Sequence, residues 1–356
     1  MEDPPGSRLS GRFRQMAGCR AEPGGHSCGV ARMSLTASAM RGTSAARTDA
    51  FLAHAPAAWA QAYRLTGSSA DADDVMQDAW LRWQRAEVGA EAGRPREPRA
   101  FLLSVATRLA LDRLRSRRRA RTGYPGPWLP EPLVSDIVAP EAGLIETTET
   151  LSLALLRLME RVPPSERAAL LLVEVAEMEA DEAADALGIT PVALRQRLSR
   201  ARRRLAAARA ELPAAADPLL DRSPGSGSAD PEAARALAEA VLQAVASGDE
   251  VMLRRLFAPE IVLESDGGGK AAAALNPIRG IDKVVRFLIS ITRKHPAQGV
   301  RLALVNGAPG FIQDFPDGSM SVSALVPDGQ GRVGAILTMR NPDKLGAVRR
   351  LLDGRG

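Results

Sequence analysis

With 356 residues and a formal net charge of +5, the chain exceeds the usual size of one small core, so two or three domains with a basic surplus are expected. Lysine occurs only at Lys270, Lys283, Lys294 and Lys344; the positive charge of the first two thirds is therefore arginine, whose planar fork suits phosphates and guanine edges. The two cysteines, Cys19 and Cys28, lie in the N-terminal stretch, which excludes a disulfide framework or cysteine metal site in the folded regions, and no run of about eighteen apolar residues or signal-like segment occurs; a reducing cytoplasm and no membrane span are expected.

Residues 1–48, rich in Gly, Ser, Arg and Ala, read as a disordered tail or an over-extended start with the initiator at Met33 or Met40. Over 49–121 apolar residues recur at three and four (Val75, Met76, Ala79, Trp83; Phe101, Val105, Leu109), which predicts a helical domain. Within it, Asp71 to Trp83 forms a helix with acids in its first turn and Asp74, Gln77 and Asp78 on the exposed face. An acidic face in a basic protein is suited to meet another protein rather than nucleic acid. Residues 122–150, with Pro125, Pro127, Pro130 and Pro132, form an extended linker.

Helical periodicity resumes over 151–212, broken at Pro163 and Pro164. Its sharpest feature is Asp181 to Leu205: a short helix to Leu187, Gly188 where the chain turns through positive φ, Thr190 as N-cap and Pro191 in the first turn of a second helix. Leu194, Leu198, Ala201 and Leu205 fall on the core side with Leu187 and Ile189, leaving Arg195, Gln196, Ser199, Arg200 and Arg203 outward. No acid and seven arginines occur between Ala186 and Ala210, so this helix-turn-helix is read as a major-groove DNA binder; the plain alternative is a solvated basic helix.

Residues 213–229, rich in Pro, Gly and Ser, form a flexible tether. Over 230–350, helices from Pro231 to Ser247 and Ile281 to Lys294 interleave with strand-like runs at Ile261 to Glu264, Val300 to Val305, Met320 to Val326 and Val333 to Met339, an α+β order. His295 is the one histidine of this unit and stands beside Pro296 at a helix end, a surface position rather than a catalytic one; no catalytic residue, cofactor or metal is expected.

These motifs resemble those of sigma-70 factors of the extracytoplasmic-function (ECF) group: "ADADDVMQDAWLRW" is similar to region 2.2, "AFLLSVATRLALDRLRSRRR" to regions 2.3 and 2.4, and "EMEADEAADALGITPVALRQRLSRARRRL" to region 4. The resemblance implies that Asp74, Gln77, Asp78 and Trp80 dock on the β′ clamp helices of RNA polymerase core. It implies that Arg108, Arg113, Arg115, Arg117, Arg118 and Arg119 engage the minus-10 element, while region 4 reads the minus-35 element of promoter DNA. Many members carry Asn where this chain has Arg108.

The strings "GPWLPEPL", "SDGGGK" and "RNPDKL" together are similar to the subgroup with a C-terminal SnoaL-like extension, a cone of the nuclear transport factor 2-like class. The implied fold is two all-α sigma domains, a region 2 bundle and a region 4 helix-turn-helix, followed by that α+β cone. The resemblance implies that the extension touches the sigma domains and modulates them in cis, with Trp128, Leu129, Asp266, Gly267, Gly268, Asn341, Pro342 and Asp343 at the contact. For Asp266 and the glycines after it, the bland reading is a plain turn. Two other classes stand beside this one: a one-component operator-binding regulator with a ligand-sensing α+β domain, and a cyclase-type enzyme with a DNA-binding segment.

Overall fold

The computed structural model describes residues 45–88, 97–121, 123–135, 151–209 and 231–353, with the side chains of Arg118, Arg119 and Arg121 outside the description. The expected tail over 1–48 and tether over 213–229 lie almost wholly outside the described residues.

Three helices open the fold: α1 (Ala45–Thr66), α2 (Ser69–Val88) and α3 (Pro98–Arg121). Ala55, Ala58 and Ala62 of α1 are fully or almost fully buried and let α3 approach closely, so that Gln61 Nε2 donates to Thr107 Oγ1 at 3.1 Å inside the bundle. The bulky fill comes from Phe51, Trp80 and Trp83, with the Phe51 and Trp80 rings edge to face at 4.9 Å. α1 stops at Gly67, whose φ of +69° turns the chain into α2.

The second unit contains α4 (Leu153–Met159), α5 (Pro164–Leu170), a π-helical turn (Leu171–Val175), α6 (Ala180–Leu187) and α7 (Pro191–Ala208). Ser152 caps α4 by accepting from the Leu155 amide at 3.2 Å. Gly188 takes φ +63°, ψ +41°, and Thr190 Oγ1 accepts from the Ala193 amide at 3.2 Å, so the predicted turn and cap are both formed. Leu194, Leu198, Ala201 and Leu205 are buried as their spacing requires.

The third unit runs α8 (Pro231–Ser247), α9 (Glu250–Leu256), β2 (Phe257–Asp266), β3 (Ile278–Arg279), α10 (Ile281–Lys294), β4 (Gly299–Val305), β5 (Ala308–Asp314), β6 (Met320–Pro327), β7 (Val333–Met339) and, after a 3-10 turn at Pro342–Lys344, α11 (Gly346–Asp353). The sheet order is β1-β4-β5-β6-β7-β2-β3, parallel only between β2 and β7. Its first strand is foreign to the unit: β1 is Val134–Ser135 of the linker, antiparallel to β4 with Val134 opposite Val305.

One sheet face packs on α8, α9 and α10 through Phe257, Ile261, Leu263, Val284, Phe311 and Ile336, which fill the space between sheet and helices. The opposite face, with Val262, Val305, Ile312, Val322, Ala324, Leu337 and Met339, belongs to the same apolar cluster as the helices of the first two units. β6 and β7 are therefore buried on both faces, which explains their nearly unbroken apolar sequences.

Candidate functional site: two helical faces and a docked linker

On α7, Arg195, Gln196, Ser199 and Arg203 are exposed, as the helical period places them. Arg200 is held on the flank: its Nε donates to Glu166 Oε1 at 2.9 Å, and Arg204 Nη1 donates to Glu166 Oε2 at 2.9 Å. Glu166 is 6% exposed, so α5 supplies a buried carboxylate that orients two guanidinium groups of α7.

On α2, Asp74 and Gln77 are exposed and Asp78 is half-buried. The face is not open acid. Arg113 of α3 spans it, with Nη1 at 3.0 Å from Asp74 Oδ2 and Nη2 at 3.1 Å from Asp78 Oδ2. Arg117 Nη1 lies 2.5 Å from the buried Asp71 carboxylate, and Arg115 pairs with Asp112 along α3. Burial raises Asp71 above the ordinary carboxylate range even though Arg117 and Arg113 pull it down. Trp80, expected at the polymerase surface, is 6% exposed and belongs to the bundle core against Phe51. The reason is helical geometry: at 3.6 residues per turn it lies about 240° around α2 from Asp74, on the side of Met76 and Trp83.

Arg108 is exposed, and its guanidinium meets backbone carbonyls rather than an acid. Its Nε donates to Ala186 O at 2.7 Å and its Nη2 to Asp185 O at 2.8 Å, the terminal carbonyls of α6. These carbonyls carry the negative end of the helix dipole, so the guanidinium acts as a C-terminal cap delivered from another domain. The helix expected at the minus-10 element and the helix-turn-helix expected at the minus-35 element are thereby joined.

The linker over 123–135 threads between the helical units and the sheet. Asp266, fully buried at the end of β2, is the hub. Tyr124 Oη donates to Oδ1 at 2.5 Å, the Leu129 amide to Oδ2 at 2.9 Å, and Lys344 Nζ to Oδ2 at 2.7 Å and to Leu129 O at 2.6 Å. Lys344 also sits 3.9 Å from the Trp128 ring centroid, and Asn341 Nδ2 donates to Tyr124 Oη at 2.9 Å. Burial and the Asp266 carboxylate push the Tyr124 hydroxyl far above its ordinary range. The glycines after Asp266 are required by this contact. A Cβ on Gly268, at φ +60°, would meet Asn341 at 2.2 Å, and one on Gly269, at φ +71°, would meet Pro125 at 2.8 Å. On the helical side Gly67 makes room for the Trp128 indole, which a Cβ there would reach at 2.6 Å.

Further along, Asn306 Oδ1 accepts from the Leu133 amide at 3.0 Å and Asn306 Nδ2 donates to Tyr63 Oη at 2.9 Å; Tyr63 Oη donates to Glu131 O at 2.7 Å. Glu131 Oε2 accepts from the Ser69 amide and hydroxyl, both at 2.8 Å. Two buried arginines complete the joints. Arg157 of α4 donates through Nε to Glu264 Oε2 of β2 at 2.7 Å, and Arg167 of α5 donates to Leu65 O of α1 at 2.9 Å and to Glu160 Oε1 at 2.5 Å.

Of the residues expected at the regulatory contact, the structure brings together Trp128, Leu129, Asp266, Gly268 and Asn341. Gly267 opens the turn by accepting the Lys270 and Ala271 amides. Pro342 and Asp343 point outward: both are exposed, and Asp343 pairs with Lys270. Lys344, Tyr124, Asn306, Arg157 and Glu264 were not singled out from the sequence. Lys344 lies within the RNPDKL string and Tyr124 just before GPWLPEPL, both already recognised there, while nothing local marks Arg157 or Glu264.

Residues 50–120 match the Sigma-70 region 2 family and residues 152–205 match Sigma-70 region 4, the class that the helical faces above define. The chain is 35% identical over 295 residues, 80% of its own length and 88% of the relative, to the ECF RNA polymerase sigma factor SigJ of Mycobacterium tuberculosis. It is 34% identical over 223 residues to the ECF RNA polymerase sigma factor SigG of the same organism, covering 58% of this chain and 57% of that one. The crystal structure of the M. tuberculosis SigJ superposes with a TM-score of 0.64 at 31% identity, covering 84% of this chain and 98% of that chain. The chain belongs to the ECF sigma factors of RNA polymerase. Sigma factors are DNA-binding transcription initiation factors that work with RNA polymerase core and promoter DNA, and the C-terminal α+β unit is consistent with a SnoaL-like extension. Among the described residues no helix is long and apolar enough to cross a membrane.

Proposed function

We propose that this sigma factor docks on the β′ clamp helices of core polymerase through Asp74, Gln77 and Asp78, reads the minus-35 element with Arg195, Gln196, Ser199, Arg200 and Arg203, and engages the minus-10 element with the arginines of α3. We further propose that the SnoaL-like unit restrains it in cis from a site in the cytoplasm and performs no catalysis. The observation that carries the in-cis reading is the Arg108 cap on α6. Elements at minus 10 and minus 35 lie 25 positions apart by name, about 85 Å along B-DNA at about 3.4 Å per base pair. Helices in hydrogen-bond contact do not span that distance, so promoter engagement requires α3 and α6 to part. The linker, fastened to all three units, opposes the parting.

Run-off transcription with core polymerase tests this. Asp74→Arg with Asp78→Arg is expected to abolish pull-down of core and all run-off product. Lys344→Ala, which removes the bonds to Asp266 and Leu129, is expected to raise run-off product severalfold. Core binding that survives the double reversal overturns the docking face, and unchanged output from Lys344→Ala overturns the restraint.

A further inference from the structure

Of the large apolar side chains on α7, Leu194, Leu198 and Leu205 are buried, whereas Val192 is 55% exposed. It stands second in the helix, directly after Pro191 and two residues after the Thr190 cap, so the backbone that carries it is held in place. Arg195, Gln196 and Ser199 follow it at three, four and seven residues, all exposed, and each lies within about 60° of it around the helix axis. Val192 is therefore the N-terminal end of the same ridge.

Nothing inside the molecule accounts for a valine there. It fills no part of the core, since the inward positions of this stretch belong to Leu194 and Leu198. A β-branched side chain is also a poorer helix former than the alanine, leucine and arginine that make up most of α7. A residue that contradicts both burial and propensity marks a position set by something outside the fold.

The ridge was assigned above to the minus-35 element, and the present inference rests on that reading. When a helix-turn-helix docks, the first residues of its second helix meet base edges in the major groove. Those edges present hydrogen-bonding groups and one methyl group, at C5 of thymine. A short branched side chain with no donor or acceptor suits that methyl group. We infer that Val192 is a specificity-determining residue, which packs on a thymine methyl in the minus-35 element beside the bases that Arg195 and Gln196 read.

The test uses holoenzyme assembled from the full chain and core polymerase. Selection from a promoter library randomised over the minus-35 element gives the wild-type preference. Each thymine of the selected element, on either strand, is then replaced by uracil, which removes the methyl group and keeps every hydrogen-bonding group. At one position uracil should weaken promoter binding about fourfold, the effect of one buried methyl group. Val192→Ala should bind the thymine and uracil promoters equally, and Val192→Ile should keep the discrimination. The side chain is exposed, so both variants should melt with the wild type. Uracil tolerated at every position by the wild type, a selected element that lacks thymine, or discrimination undiminished in Val192→Ala overturns the methyl contact while the minus-35 reading stands. A selection that returns no preference over the minus-35 element overturns that reading and the contact with it.

Discussion

Asp266 gathers a tyrosine hydroxyl, a backbone amide and a lysine ammonium on two carboxylate oxygens with no exposure to water. Removing one partner of so enclosed a pair strands the other. Asp266→Ala should cost about 3 kcal/mol in urea denaturation and make the linker susceptible to limited proteolysis; a loss below 1 kcal/mol would show that the hub is dispensable. Asp71 makes a different case. Its folded pKa lies above the ordinary value of 3.8 because of burial, so the native state holds its proton more tightly than the unfolded chain. Its contribution to stability is greatest below pH 3.8 and declines as pH rises from there through the folded value. The stability difference between wild type and Asp71→Asn should therefore shift in favour of the variant as pH rises above 3.8, measured by urea midpoints, and a pH-independent difference would contradict the shift. At this scale α7 and the turn before it were readable from sequence, because Thr190, Pro191 and Gly188 act on their immediate neighbours. Trp80 was misplaced because resemblance put it with the acids, whereas its angular position on α2 puts it with Met76 and Trp83.

Between elements, the contacts that matter join residues far apart in sequence, and there the sequence was least legible. Asn306 illustrates this. An Asn-Gly pair announces a tight hairpin, and Asn306 does take φ +49°, yet nothing local shows that its side chain grips Leu133 and Tyr63. The strand that follows was also missed, since β5 opens Ala308-Pro309-Gly310 and imitates a loop. Asn306→Gly keeps the turn geometry and deletes the grip, so hydrogen exchange at the Leu133 amide should quicken at least tenfold with the sheet amides unaltered. Asn306→Ala should lose about 1 kcal/mol more, because alanine resists positive φ. Arg108 joins α3 to α6 by two charge-assisted hydrogen bonds. Arg108→Ala should weaken that joint by about 2 kcal/mol and lengthen the distance between dyes on α2 and α7 in energy-transfer measurements; an unchanged distance would mean that other contacts suffice.

Across the whole molecule, the far face of the sheet and the helices of the first two units form one apolar cluster. The units were legible as three segments, because composition changes at the proline and glycine stretches. Their fusion into one body was not, since a strand buried on both sides reads the same whichever partner covers it. Calorimetry of the full chain is expected to give one transition whose calorimetric and van't Hoff enthalpies agree; separate transitions would show that the units melt independently.

The two residues Val134 and Ser135 cover the outer rim of β4, hydrogen-bonding along Leu304 and Val305. Once the linker lifts away, those amides and carbonyls are bare beside a half-exposed Val300, a template for any extended peptide. A molecule that has let go of its own restraint is thus adhesive until something else claims that rim, and activation without polymerase nearby should end in clumping rather than in idle waiting.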